Sequence, residues 1–215
     1  MADELLAGHG RFRWGYAANQ RELLARLHRD GQHPSTLFIG CSDSRVVPEL
    51  LTDAAPGDLF IVRNVANRVP ARGGPDSSVG AAIEFAVGQL GVQDIVVCGH
   101  DKCGGVLAVE GDLAGIPARS DLARWLADLR PAVERVRAMK LDPAEALPRA
   151  IEACALDSLA NLMTYEPVSR GVAAGSLRIH AWVYSLETTE LRTYDEELDA
   201  FTVVGGGERG AGPSQ

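Results

Sequence analysis

The sequence predicts an α/β fold with a mostly parallel central sheet flanked by helices, and an added antiparallel edge strand or hairpin near the C-terminus. Three observations carry this. Short apolar runs recur at 36–41, 58–64 and 94–100; a segment of helical spacing separates the second from the third; and an alternating segment follows Ser176.

Taken in order, the chain starts with a helix around Asn19 to Arg29, part of an N-terminal helical arm over about residues 1–30. "TLFIGC", bounded by Pro34 upstream and a polar turn downstream, has the length and apolarity of a buried parallel strand. "DLFIVRN" and "DIVVCGH" repeat that design. Between them, Asp76 or Ser77 offers an N-cap, Val79, Ile83, Val87 and Leu90 fall at helical spacing, and Gly91 is the stop. From Ser120 the pattern is helical, with breaks expected at Pro131 and Pro148 and the last helical piece closed by Pro167 and Gly175. "SLRIHAWVYSLETTELRTYDEE" then alternates and turns once, as a hairpin or meander at a sheet edge does.

A chain of 215 residues, 46% of them hydrophobic, can bury a full core, so one domain is expected over 1–204. The Gly-rich segment 205–215 has no large apolar residue to anchor it and is expected to be a disordered tail. With 21 basic against 29 acidic residues the net charge is −8, which excludes a polyanion-binding footprint, whether nucleic acid or anionic membrane. The first twenty residues carry acids and no apolar h-region, and no window approaches the roughly eighteen apolar residues of a membrane span. The reading is cytoplasmic, where clustered cysteines serve metals or catalysis rather than disulfides.

Cys41 and His100 both stand at the carboxyl ends of predicted strands, where open parallel sheets bind ligands. His100 and Cys103 are spaced so that one turn directs an imidazole and a thiolate to the same ion, a weak signal alone that Cys41 strengthens. Two thiolates and an imidazole select zinc over magnesium or calcium, and three protein ligands leave a fourth position. Asp43 can fill that position, or Arg45 can hold it away so that water binds. Cys98 and Cys154 read as buried and structural, His9, His28 and His33 as solvated, and His180 as a hydrogen-bonded strand residue.

"CSDSR" followed by "GHDKCGG" resembles the beta-class carbonic anhydrases, from about Leu23 to about Val204. The context "VPELLTDAAPGDLFIVRNVAN" looks most like bacterial members, including those encoded with cyanate-degrading enzymes. The resemblance implies a zinc lyase (carbonate dehydratase) that converts carbon dioxide to bicarbonate and a proton by attack of zinc-bound hydroxide. It implies one Zn²⁺ per chain on Cys41, His100 and Cys103, with Asp43 and Arg45 as the catalytic dyad. Gln32 matches a residue whose amide donates to a substrate oxygen, and Phe60, Val65 and Phe85 match the carbon dioxide pocket, with Phe85 replacing a common tyrosine. It also implies a dimer or tetramer, in which Gln32 and Phe60 reach the partner's zinc. In members regulated by a second bicarbonate site a tryptophan lines that site; Phe38 stands there, with Arg63 and Tyr184 matching its other residues. Without that indole donor the open zinc site is expected at neutral pH. Two rivals share these motifs: hydrolysis of carbonyl sulfide or carbon disulfide, and a non-catalytic zinc subunit.

Overall fold

The computed structural model describes residues 1–74 and 78–205. The expected cap at Asp76 or Ser77 falls outside the described residues, as does the expected disordered tail apart from Gly205.

Helices α1 (Ala2–Trp14), α2 (Tyr16–Asn19) and α3 (Arg21–Asp30) precede the sheet and contribute no buried residue. Strand β1 (Thr36–Cys41) is the sheet's central seam, paired in parallel with β2 (Leu59–Asn64) on one side and β3 (Asp94–His100) on the other. Between β1 and β2 lies the short α4 (Pro48–Thr52), opened by a proline whose missing N–H has no partner to lose there. Helix α5 (Ser78–Phe85) continues as a π turn over Ala86–Leu90 and stops at Gly91, whose left-handed φ of 67° a side chain would resist. After β3 come α6 (Gly104–Glu110), α7 (Asp121–Ala127), α8 (Arg130–Ala138), α9 (Pro143–Leu162) and α10 (Glu166–Ala173). The chain returns as β4 (Arg178–Tyr184), β5 (Leu191–Asp195) and β6 (Ala200–Val203), giving the sheet order β2-β1-β3-β4-β5-β6.

Side chains alternate across the sheet and divide the core. Leu37, Ile39, Ile95 and Val97 pack on one face with Val79 and Ile83 of α5, Leu162 of α9 and Val168 of α10. Phe38, Val96 and Cys98 point to the other face, with Trp182 and Tyr184 beside them. A third cluster joins Cys41 and Cys103 to α6, α7, α8 and α9.

Two expectations need correction. Pro148 does not break a helix: it lies inside α9, where Ala150, Ile151, Cys154 and Ala155 are buried and that packing outweighs the loss of one backbone bond. Pro167 opens α10 rather than closing it, at a position where its fixed φ suits a first turn. The segment after Ser176 forms the expected antiparallel meander at the sheet edge, β4 pairing with β5 and β5 with β6, while the other side of β4 pairs in parallel with β3.

Candidate metal centre and active site

The parallel seam brings two strand ends together. Cys41 is the last residue of β1 and His100 the last of β3, while Cys103 sits at the N-cap of α6, immediately after the turn. The two Sγ atoms and a ring nitrogen of His100 lie within 4.8 Å of one another, and all three residues are buried. His100 Nδ1 is 2.8 Å from the Asp101 carbonyl, which can only accept, so Nδ1 carries the proton and Nε2 keeps its lone pair. That Nε2 is buried with no hydrogen-bond partner. An unpaired imidazole nitrogen facing two thiols is a donor set that a tetrahedral zinc satisfies.

The Asp101 carboxylate accepts from Ser185 Oγ at 3.0 Å and from the Leu186 N–H at 3.0 Å. The carbonyl that orients the imidazole is thus anchored to the end of β4.

The thiols are a coupled pair. Cys41 is driven toward thiolate by the Cys103 hydrogen bond, against burial, and further by His100 and the N–H groups of Asp43 and Ala66. Cys103 is pushed up by the same shared hydrogen bond and by burial. One proton leaves this pair easily and the second leaves when a cation replaces it. Burial disfavours charge on His100, but the Cys41 sulfur, the Asp101 carbonyl and the Asp43 carboxylate together outweigh it and the net direction is upward. Cys98 and Cys154 are pushed up to about 12, chiefly by burial, and stay inert thiols.

Asp43 is turned toward Arg45. Its Oδ1 accepts from Arg45 Nε at 2.9 Å and from the Arg45 N–H at 3.0 Å, and its Oδ2 accepts from Nη2 at 2.7 Å. Arg45 thereby holds the carboxyl well below the usual carboxylate range. The same Oδ2 lies 3.9 Å from His100 Nε2, so the carboxylate borders the metal position. From the other side, Arg63 donates Nε to the Cys41 carbonyl at 2.9 Å and Nη2 to the Asp43 carbonyl at 2.7 Å. Phe38 is fully buried, edge-on to Trp182 with ring centroids 6.2 Å apart.

Val65 borders a cleft of about 500 Å³, shared with Ser42, Arg63, Asn64, Leu122 and Trp125. Phe60 and Phe85 face each other at 5.9 Å, and they do so elsewhere. Phe60 pairs with Leu37 while Asn64 pairs with Cys41, so at about 3.3 Å per residue Phe60 lies roughly 13 Å back along the sheet. Gln32, exposed ahead of β1, is at that same far end. The structure thus gathers Cys41, Asp43, Arg45, His100 and Cys103, with Val65 beside them, and leaves Gln32, Phe60 and Phe85 remote within one chain. Sequence reasoning missed Trp125 and the Asp101 carboxylate; Asp101, next to His100 in the motif, could have been asked about, whereas nothing local marks Trp125.

The carbonic anhydrase family profile matches residues 36–191. The chain is 44% identical over 175 residues to a carbonic anhydrase of Pseudomonas aeruginosa, covering 76% of this chain and 74% of that protein. It is 36% identical over 206 residues to one from Synechocystis, covering 92% and 72%. Among solved structures, the beta-carbonic anhydrase CcaA aligns with a TM-score of 0.86 at 35% identity, over 94% of this chain and 98% of that one. A structure from a study of two tetrameric beta-carbonic anhydrases of Sordaria macrospora aligns at 0.78 and 28% identity, over 93% and 98%.

Proposed function

The chain belongs to the beta-class carbonic anhydrases, zinc enzymes that hydrate carbon dioxide reversibly to bicarbonate and a proton, and from that membership we propose what each site residue does. Cys41, His100 and Cys103 hold the zinc, one ion per chain; the gathered, buried donor set with its unpaired His100 Nε2 is the observation that carries this. Bound there, zinc acidifies a water ligand so that a nucleophile is available near neutral pH.

The other residues bind, orient and exclude. Asp43 Oδ2 borders the metal position and accepts a hydrogen bond from the nucleophile, which turns its lone pair toward the substrate. Arg45 keeps that carboxylate ionised and directed away from the metal, which favours the open site. The second bicarbonate site is disfavoured, because Phe38 offers no donor and Arg63 already spends two on backbone carbonyls. Val65 gives carbon dioxide an apolar wall from the same chain.

Gln32, Phe60 and Phe85 serve the site of a second copy, Gln32 donating its amide to a substrate oxygen. Their distance from Cys41 supports this, as does an arm whose Leu5, Leu6 and Trp14 are exposed at 76%, 71% and 73%. The working unit is therefore a dimer, or a tetramer built from dimers. A cytoplasmic setting suits four unbridged cysteines; no helix among the described residues is long and apolar enough to cross a membrane.

Stopped-flow carbon dioxide hydration, paired with zinc content, tests the assignment. Asp43→Ala is expected to keep one zinc per chain and to slow hydration about tenfold or more, the scale of a lost positioning contribution. Full activity in that variant would refute the role of Asp43. A stable, fully active monomer in sedimentation would refute the shared site.

A further inference from the structure

The turn after β2 touches the metal thiols and is held in an unfavourable shape. Ala66, at φ 64° and ψ 30°, and Asn67, at φ 45°, both take left-handed backbone that non-glycine residues seldom adopt. Ala66 is buried in one cluster with Cys41 and Cys103. It packs so tightly on the start of α6 that a methyl placed on Gly105 would sit 2.8 Å from its Cβ.

Something must hold such a turn. Asn64, opposite Cys41 in the sheet, brackets its far end: Oδ1 accepts from the Arg68 N–H at 2.7 Å and Nδ2 donates to the Arg68 carbonyl at 2.9 Å. Its near end is held from outside the motif. Trp125 Nε1 donates to the Val65 carbonyl at 2.8 Å across 60 residues of sequence. The indole is itself clamped, with the Arg68 guanidinium 4.3 Å from the ring centroid and paired with Asp128. Arg68 Nε is buried without an acceptor, so stacking and Asp128 fix this guanidinium.

We propose that Trp125, clamped by Arg68, is a positioning residue for the metal centre: its indole N–H fixes the Val65 carbonyl, and through it the Ala66 turn that packs against both metal thiols. Because Trp125 and Val65 also border the same cleft, one hydrogen bond sets both the thiolate surroundings and the substrate wall. This rests on the assignment of zinc to Cys41, His100 and Cys103.

The test compares Trp125→Phe, which keeps a ring for Arg68 and loses the N–H, with the parent enzyme in zinc and cobalt(II) forms. The variant is expected to bind one metal per chain. It should release zinc to a competing chelator about three- to tenfold faster, below or at the low end of the loss seen for direct outer-shell partners. Its thiolate-to-cobalt charge-transfer band should shift. A general loss of stability that left the thiolate surroundings intact would lower Tm without moving that band. A release rate and cobalt spectrum matching the parent would overturn the proposal. If Trp125→Phe does not fold, Arg68→Gln carries the same two readouts and the same expectation. A parent enzyme that takes up neither zinc nor cobalt through its thiols would instead overturn the metal assignment itself, and this proposal with it.

Discussion

Gly105→Ala is the most exacting probe of how the site is assembled. The added methyl would stand 2.8 Å from Ala66 Cβ, 3.2 Å from Leu126 Cδ2 and 3.3 Å from Val65 Cγ1. The leucine methyl can rotate away, but Ala66 Cβ is tied to a left-handed backbone and cannot. Restoring ordinary contact therefore needs about 0.6 Å of separation between α6 and the turn, an overpacking that costs about 1–3 kcal/mol. Replacing glycine in a helix recovers at most about 1 kcal/mol. Taking the middle of the overpacking range, the net loss is about 1 kcal/mol, which should lower Tm by roughly 2–4 °C for a chain of this size. The shift moves the helix that Cys103 caps relative to Cys41, so hydration should fall about tenfold, consistent with the sensitivity of catalysis to displacements below 1 Å. Gly104→Ala is the control, since nothing lies within 4 Å of where its methyl would stand. It should be neutral in Tm and activity. Differential scanning calorimetry and stopped-flow hydration on both variants decide the matter: identical behaviour of the two, or a Gly105→Ala enzyme as stable and active as the parent, would refute the reasoning.

Further outcomes follow from the charged groups. Arg45→Ala leaves Asp43 only the backbone N–H as a partner, and should cut carbon dioxide hydration about tenfold at full zinc content; Arg45→Lys should fall between, because an ammonium cannot grip both oxygens at once. Activity within twofold of the parent in Arg45→Ala would contradict the assigned role. At the opposite end of the sheet, Asp94 is held below the ordinary carboxylate range, first by Arg178 and then by His180, with contacts of 2.7 and 2.8 Å. A depressed folded-state value stabilises above the unfolded value and is lost as pH falls through the folded one, so this contribution fades on acidification below about pH 4. Asp94→Asn should therefore narrow the Tm difference between pH 7 and pH 3; an unchanged difference would count against it.

Much of the site was legible because its chemistry sits at strand ends. "TLFIGC" and "DIVVCGH" are short apolar runs that can only be buried strands, and their last residues, Cys41 and His100, therefore had to emerge at the same sheet edge. The local pair His100 and Cys103 was weak by itself and became a site only with Cys41 at the end of the neighbouring strand. Trp125 was hidden for the converse reason. It lies in a segment whose sequence reads only as helix, and its partner Val65 is 60 residues away. The β4–β5 hairpin was legible in its alternation and single turn, a signal that is nevertheless silent about the strand on the other side of β4, where β3 pairs in parallel. Pro148 misled because local propensity was outvoted by the buried face of α9.

The roughly 13 Å between Phe60 and Cys41 along one sheet has a genetic consequence. If metal ligands and aromatic wall come from different copies, damage to either half can be masked by the other. A Cys41→Ser chain and a Phe60→Ala chain, each crippled alone, would restore one intact centre when they pair, since the first brings the wall and the second the thiolate. Such complementation between two dead alleles is a property that an enzyme with a self-contained site does not have.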